Sequence, residues 1–320
     1  MNQTKKKNPL KRLLSMRGMG QVVTVTIGLI VLLVAFALIN PNFWSPTNRT
    51  NLLRQIAPIL IIGIAQSYVL ITGNIDLSIG SVVGMSTMVA ATLMSKGIMS
   101  PIPALLVTLL CCLLIGVLNG LLVAKFKLPP FIATLGTMTV ARGIAQLVNG
   151  NYNTDSIMKF YPEAAQTFKN VFYYGKTLGL YNGIWIAIIL WIVFNFLLSK
   201  TRTGRYIYAT GSNIDAARLS GVNVVSTTVI AYVVSAFCSF VVGIITCATV
   251  GQGTMDAGNS YEMYAVAASV IGGVSTLGGQ GILLGTVVGA AIWGTLQNGL
   301  QFAGAPVAIR NIIIGIIVVL

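Results

Sequence analysis

Apolar runs of close to twenty residues recur along this chain with hardly a charge inside them, and that pattern leaves few folds open. A helix crossing hydrocarbon needs ~20 mostly apolar residues. A closed barrel also satisfies its backbone in lipid, but it reads as short segments of alternating polarity. The runs here are continuous, so they predict helices. Only 8% of the 320 residues are charged and 55% are hydrophobic, against about a quarter charged in soluble domains. Turn and charge signals divide the chain into spans at 21–39, 52–72, 76–95, 102–124, 129–149, 183–199, 226–248, 263–279, 281–303 and 306–320. The expectation is an all-α, polytopic membrane protein of about ten transmembrane helices. A single transmembrane domain over 21–320 follows a basic segment over 1–20. The last span reaches Leu320 without a basic stop, so the chain is expected either to continue a little further or to tilt that helix.

Charge orients the predicted bundle. Lys5, Lys6, Lys7, Lys11, Arg12 and Arg17 precede the first span, and short loops rich in Lys and Arg stay cytoplasmic. The run from Val22 to Ile39 is long for a signal peptide, and Asn40-Pro41-Asn42-Phe43-Trp44 offers no small-residue cleavage site. The first helix is therefore read as retained, with its N-terminus in the cytoplasm. Alternation then places Lys125, Lys127 and the segment from Lys200 to Arg218 inside, and Arg49, Lys96 and the loop 150–182 outside. That loop predicts a short amphipathic helix around Pro162–Val171, either as a solvated connection or as a docking element. The formal charge of +14 is thus accounted for by membrane lipid and topology, with no nucleic acid as partner.

The chemistry available is narrow. There is no histidine, the commonest general base and metal ligand. Cys111, Cys112, Cys238 and Cys247 fall in apolar spans without a CxxC spacing and read as small buried residues. Gly272–Gly281 is glycine-rich but carries no G-x-x-x-x-G-K-[ST] phosphate loop. The chain is read as no enzyme, with no metal and no cofactor of its own.

The polar island Lys200–Val222, in a cytoplasmic loop of about 200–225, stands out from the apolar background. Ser212 followed three residues on by Asp215 resembles a capping box. Arg218 suits a last turn and Gly221 a left-handed C′ position. These signals predict a helix of about two turns. A solvated basic loop and a docking surface are both compatible with it.

Polar residues inside spans are the other candidates. Asp76, in Gly73-Asn74-Ile75-Asp76-Leu77-Ser78, is read as the acid at membrane depth, functional by default. With Ser78 it also fits a cap on the third helix. Asn119, Thr134, Thr137 and Asn298, with Gln66, Ser67 and Gln297, suit either interhelical hydrogen bonds or a neutral, hydroxyl-rich substrate. Gly80 and Gly84, Gly116 and Gly120, and Gly281, Gly285 and Gly289 recur every four residues, the spacing of close helix packing. A pore or dimer interface is a second reading for the last series.

Several blocks, in order, resemble the permease subunits of bacterial ATP-binding-cassette importers of the ribose/xylose/galactose type. They are NIDLSIGSVVG (74–84), PPFIATLGTM (129–138), TRTGRYIYATGSN (201–213), AARLSGVNV (216–224) and YEMYAVAASVIGGVSTLGGQGILLGTVVGA (261–290). The resemblance implies a type II importer-like permease fold in the bacterial inner membrane. It implies a second permease subunit, two cytoplasmic ATPase subunits (or one fused tandem) holding ATP and Mg, and an external sugar-binding protein. The island becomes the coupling helix, with Arg202, Gly204, Arg205, Asp215, Ala216, Ala217, Arg218 and Gly221 as the coupling residues. Asp76, Asn119, Thr134, Thr137 and Asn298 become substrate-path candidates. The importer pattern E-A-A-x-x-x-G fits Asp215 to Gly221 with Asp for Glu, while alignment through Arg218–Gly221 puts the sugar group's acid at Ile214. Tyr264 stands where the group commonly has Asp. An ion-coupled secondary transporter is the alternative, and it normally needs embedded carboxylates.

Overall fold

The structure, a computed structural model, describes residues 19–319. Most of the expected basic segment 1–20, and Leu320, therefore lie outside the described residues. The first half comprises helices α1 (Met19–Ile39), α2 (Pro46–Ile71), α3 (Ile79–Ser95), α4 (Pro101–Ala124), α5 (Pro130–Leu147) and the short α6 (Pro162–Lys169). A small hairpin, β1 (Lys176–Thr177) with β2 (Leu180–Tyr181), leads into α7 (Asn182–Lys200). Then come α8 (Arg202–Ser212), α9 (Ile214–Leu219), α10 (Val224–Val250), α11 (Tyr261–Ile271), α12 (Leu283–Phe302) and α13 (Val307–Val319).

Local chemistry explains where these helices begin and end. α2 starts six residues before the expected limit, because Ser45 Oγ accepts from Asn48 N at 3.3 Å and Pro46 follows as the first helical residue. α6 matches the amphipathic helix expected in the 150–182 loop and buries Ala165 and Phe168. Two spans are shorter than expected. Residues 72–78 stay irregular, so α3 begins at Ile79, and α11 stops at Ile271 before a glycine-rich stretch.

The connections gather at two ends of the bundle. At one end Gly279 N donates to Ile71 O (2.8 Å), Tyr208 Oη donates to Gly281 O (2.6 Å), and Lys127, Asn213 and Leu277 share a cavity wall. At the other, Tyr161 Oη donates to Gly97 O (2.9 Å), Thr154 N to Gly253 O (2.9 Å) and Tyr174 Oη to Thr249 O (2.9 Å). The long helices between these connections therefore run from one end to the other. Among the described residues, α1, α2, α4, α7 and α10 are long and apolar enough to cross a membrane; α3 and α11 are apolar but short.

Burial sorts the long helices into an inner and an outer set. In their most apolar stretches 78% of α2 and 67% of α10 is buried, against 11% of α1. A helix that is apolar all round and buried so little fits lipid contact. The inner helices are stitched by hydroxyls: Ser67 Oγ lies 3.1 Å from Ser269 Oγ and 2.8 Å from Thr286 Oγ1, and Thr87 Oγ1 donates to Gly243 O at 2.9 Å. Glycine lets the backbones approach. A side chain at Gly84 would strike Ala257 O, at Gly285 the Gly272 carbonyl, and at Gly289 the Ala268 carbonyl. Gly281, expected in the same helical series, instead lies in the turn ahead of α12 with φ +140°. The helical face therefore holds Gly285 and Gly289 but not Gly281, because the helix starts two residues after it.

Both short helices begin inside the protein. Gly258 lies against the carbonyl of Gly80, so the irregular segment 251–260 reaches the first turn of α3. Irregular backbone at such depth persists only where protein or a water-filled cavity satisfies it. Arg142, on α5, does part of this by donating from Nη1 to Met255 O (3.0 Å) and Ala257 O (2.9 Å). Glu262, one residue outside the expected span, sits in the first turn of α11 beside Gly80. Asp76 is therefore accompanied by a second acid in this region.

Candidate functional site

Two groups of expected site residues come together in space. The first is a chain of hydrogen bonds centred on Asp76, which is 2% exposed. Gly73, with φ +79°, turns the chain out of α2 in a region glycine enters freely. Asp76 Oδ1 then accepts from Ser78 N (2.9 Å) and Ser78 Oγ (2.6 Å). Oδ2 accepts from Ser235 Oγ on α10 at 2.7 Å. Asn119 Nδ2 on α4 donates to Ser78 Oγ (2.9 Å), and Thr137 Oγ1 on α5 donates to Asn119 Oδ1 (2.6 Å). Tyr232 Oη on α10 donates to Ile75 O at 3.0 Å.

The expected cap on α3 thus takes a different form. Asp76 binds the amide two residues on, as an Asx turn does, and Ser78 makes no side-chain cap bond. Of the other path candidates, Thr134 bonds back to Pro130 O at 2.8 Å and accepts from Thr137 through its own carbonyl at 3.2 Å. Asn298 does not join this chain. It pairs with Asn48 (2.9 and 3.1 Å) and reaches Gln55 (3.4 Å), joining α12 to α2 near the opposite end.

The second group is the island. The structure resolves it into two helices where one was expected. α8 is capped by Thr201 Oγ1, which accepts from Gly204 N at 3.3 Å. α9 is capped by Asn213, whose Oδ1 accepts from Asp215 N (3.0 Å) and Ala216 N (2.8 Å). Ser212 is thus the last residue of α8 and does not cap α9, a one-residue correction to the expected box. Asn213 is itself a favoured capping residue, and that signal was there to be found. Gly221 has φ +81° just past the Ser220 C-cap, the C′ position expected of it.

The two helices bury Gly204, Ile207, Thr210 and Ala217 and present mostly polar and large apolar residues outward. Gly204 is buried where a side chain would strike the Leu198 carbonyl, and Ala217 is buried with Val222 and Val224. Arg202, Arg205, Asp215, Ala216, Arg218 and Gly221 are exposed. So are Leu219, at 90%, and Leu277 of the adjoining glycine-rich turn, at 89%. Arg218 and Asp215 form an exposed pair at 3.4 Å, the kind that contributes little to stability. A cavity of about 770 Å³ opens beside this pair, between Asn74, Lys127, Asn213, Arg218 and Asn223.

Sequence reasoning passed over a third grouping at the other end of the bundle. Arg54 packs its guanidinium 4.1 Å from the ring centroids of both Tyr173 and Tyr181, next to a cavity shared with Gln55, Tyr264 and Gln297. Gln297 was visible as a polar residue inside a span, but its neighbours come from four separate segments. Among the described residues no cluster of three or more His, Cys, Asp or Glu is placed to hold a metal ion.

Comparison with known proteins extends this geometry. The family described as branched-chain amino acid transport system / permease component matches residues 48–320. A ribose import permease protein of Haemophilus influenzae is 40% identical over 278 residues, covering 86% of this chain and 84% of its own. That of Bacillus subtilis is 35% identical over 295 residues, 92% and 89% of the two chains. The galactose/methyl galactoside import permease protein of Escherichia coli is 33% identical over 307 residues, 91% and 90% of the two chains. No solved structure matches.

Proposed function

This chain belongs to the branched-chain amino acid transport system / permease component family, and we propose that it is the membrane-spanning permease subunit of a bacterial ATP-binding-cassette importer for a monosaccharide. The observation that carries the reading is identity of 33–40% to sugar import permeases over most of both chains. It is a transport subunit of the bacterial inner membrane, and the ion-coupled alternative gains no support from these relatives.

The mechanism follows from what each end of the bundle offers. The single domain over 21–320 crosses the membrane in about ten segments, with the basic N-terminus and the α8–α9 pair in the cytoplasm. α8 and α9 dock on a partner ATPase subunit, which binds ATP and Mg. The exposed Ile214 and Leu219, flanked by Arg205 and Arg218, supply an apolar contact with a basic rim. Two such permeases meet two ATPase subunits, or one fused tandem, and an external binding protein delivers the sugar. Movement of the pair relative to the bundle is felt at the cavity beside Asn74 and Arg218. The Asp76–Ser78–Asn119–Thr137 chain, with Thr134 behind it, borders the path one layer deeper; Asn298 contributes from the far end.

Coupling is tested in proteoliposomes holding the permease, its ATPase subunits and its binding protein. Arg205→Glu, Arg218→Glu and Gly221→Val should each abolish sugar-stimulated ATP hydrolysis and uptake together, while the permease still inserts. Normal coupled uptake in all three would remove the docking role from α8 and α9.

A further inference from the structure

We propose that the cavity at the end of the bundle opposite α8 and α9 is a binding station for one neutral sugar ring, walled by Tyr173, Tyr261, Tyr264, Gln55 and Gln297 with Arg54 at its edge. This inference rests on the monosaccharide-permease reading and assigns that substrate a place. The cavity measures about 240 Å³, just under the roughly 300–1,000 Å³ of pockets that take drug-sized ligands. That volume suits a single ring rather than a disaccharide. It lies among α2, α10, α11 and α12, which include the two most buried of the long helices, where a path through the subunit must run.

The wall chemistry matches a sugar. Each hydroxyl of a sugar both donates and accepts, and its C–H faces are apolar. Gln55 and Gln297 each offer two donors and an acceptor, and Asn298 Nδ2 holds Gln55 Oε1 at 3.4 Å. Tyr261 and Tyr264 stand 5.6 Å apart centroid to centroid, and Tyr264 rests on Trp293 at 5.3 Å. The rings thus form a braced aromatic wall with phenol groups as polar handles. Arg54 Nε is buried without a partner among the described residues, an unusual state for a buried donor. Apart from Arg54, the described lining residues carry amide, hydroxyl and phenol groups and no carboxylate, so the wall offers a metal cation or ammonium group no carboxylate partner. The only charge, on Arg54, is sandwiched between the rings of Tyr173 and Tyr181. Ring faces attract a cation, which holds Arg54 for hydroxyls rather than leaving it as a bare anion site.

The test uses the complete complex with its binding protein in proteoliposomes, with radiolabelled ribose, allose and galactose as probes. Gln297→Leu and Tyr264→Leu should each raise the KM for uptake about three- to tenfold, the range of one lost net interaction. They should also change the ratio of ribose to galactose uptake. Tyr264→Phe keeps the ring and loses only the phenol handle, so it should raise the KM less than Tyr264→Leu does. Gln297→Asn, shorter but still polar, should shift the same ratio and is available if leucine there prevents assembly. Unchanged KM and unchanged sugar ratio in assembled Gln297 and Tyr264 variants would overturn the site while leaving the permease reading intact. A wild-type complex that moves none of the three sugars with ATP would overturn both. Preferential uptake of ribose 5-phosphate, abolished by Arg54→Gln, would make the cavity an anion site and overturn the neutral-sugar assignment.

Discussion

Replacing Asp76 with alanine is the sharpest perturbation of the buried polar chain. It removes the acceptor for three donors at once: Ser78 N, Ser78 Oγ and Ser235 Oγ, held at 2.9, 2.6 and 2.7 Å. A buried donor left unpaired costs about 1–3 kcal/mol. Interhelical hydrogen bonds within membrane proteins average nearer 0.6 kcal/mol, because the unfolded state in lipid also finds partners. Taking about 1 kcal/mol for each donor gives about 3 kcal/mol for Asp76→Ala. Asparagine keeps Oδ1 for both Ser78 donors, and the Ser235 hydroxyl can rotate to accept from its amide. Asp76→Asn should therefore cost only about 1 kcal/mol. The gap of about 2 kcal/mol is roughly thirtyfold in the folding equilibrium, readable by denaturant titration of the purified permease in mixed micelles. If the two variants differ by less than about 0.5 kcal/mol, the error of additive bookkeeping, the hydrogen bonds to Asp76 are not what holds this turn.

Two further outcomes follow from single features. Asn213→Ala removes both cap bonds of α9 and should cost about 1 kcal/mol, lowering sugar-stimulated ATP hydrolysis, whereas Ser212→Ala should leave it unchanged; equal effects would restore Ser212 as the cap. Gly289→Val places a side chain against the Ala268 carbonyl and should abolish assembly of the α11–α12 contact, seen as loss of folded permease on size-exclusion chromatography.

Much of this protein is settled by local sequence. Helix class follows from the length and continuity of the apolar runs, since hydrocarbon gives the backbone no other partner. The amphipathic α6, the C′ glycine after α9 and the Gly73 turn are local too. Each depends on neighbours within a few residues, so the capping and φ preferences of those residues suffice to read it. Even the error at Ser212 was local, a choice between adjacent capping residues.

What tertiary structure alone decided is which polar side chains meet. Asp76 finds Ser235 across 159 residues of chain, and Asn48 finds Asn298 across 250. A lone polar residue in an apolar helix declares that it needs a partner, but not which one. That choice depends on how each helix is rotated about its axis and shifted along it, which packing against several neighbours sets. The same holds for the sugar-sized cavity. Gln297 could be seen in the sequence as one more interhelical amide, and only the convergence of α2, α10, α11 and the turn before β1 surrounds it with Gln55, Tyr261, Tyr264 and Tyr173. The two unexpectedly short helices belong here as well. Residues 76–78 and 272–279 fall inside the expected spans, yet they stay irregular, and contacts from Asn119, Ser235 and Ile71 meet polar groups there.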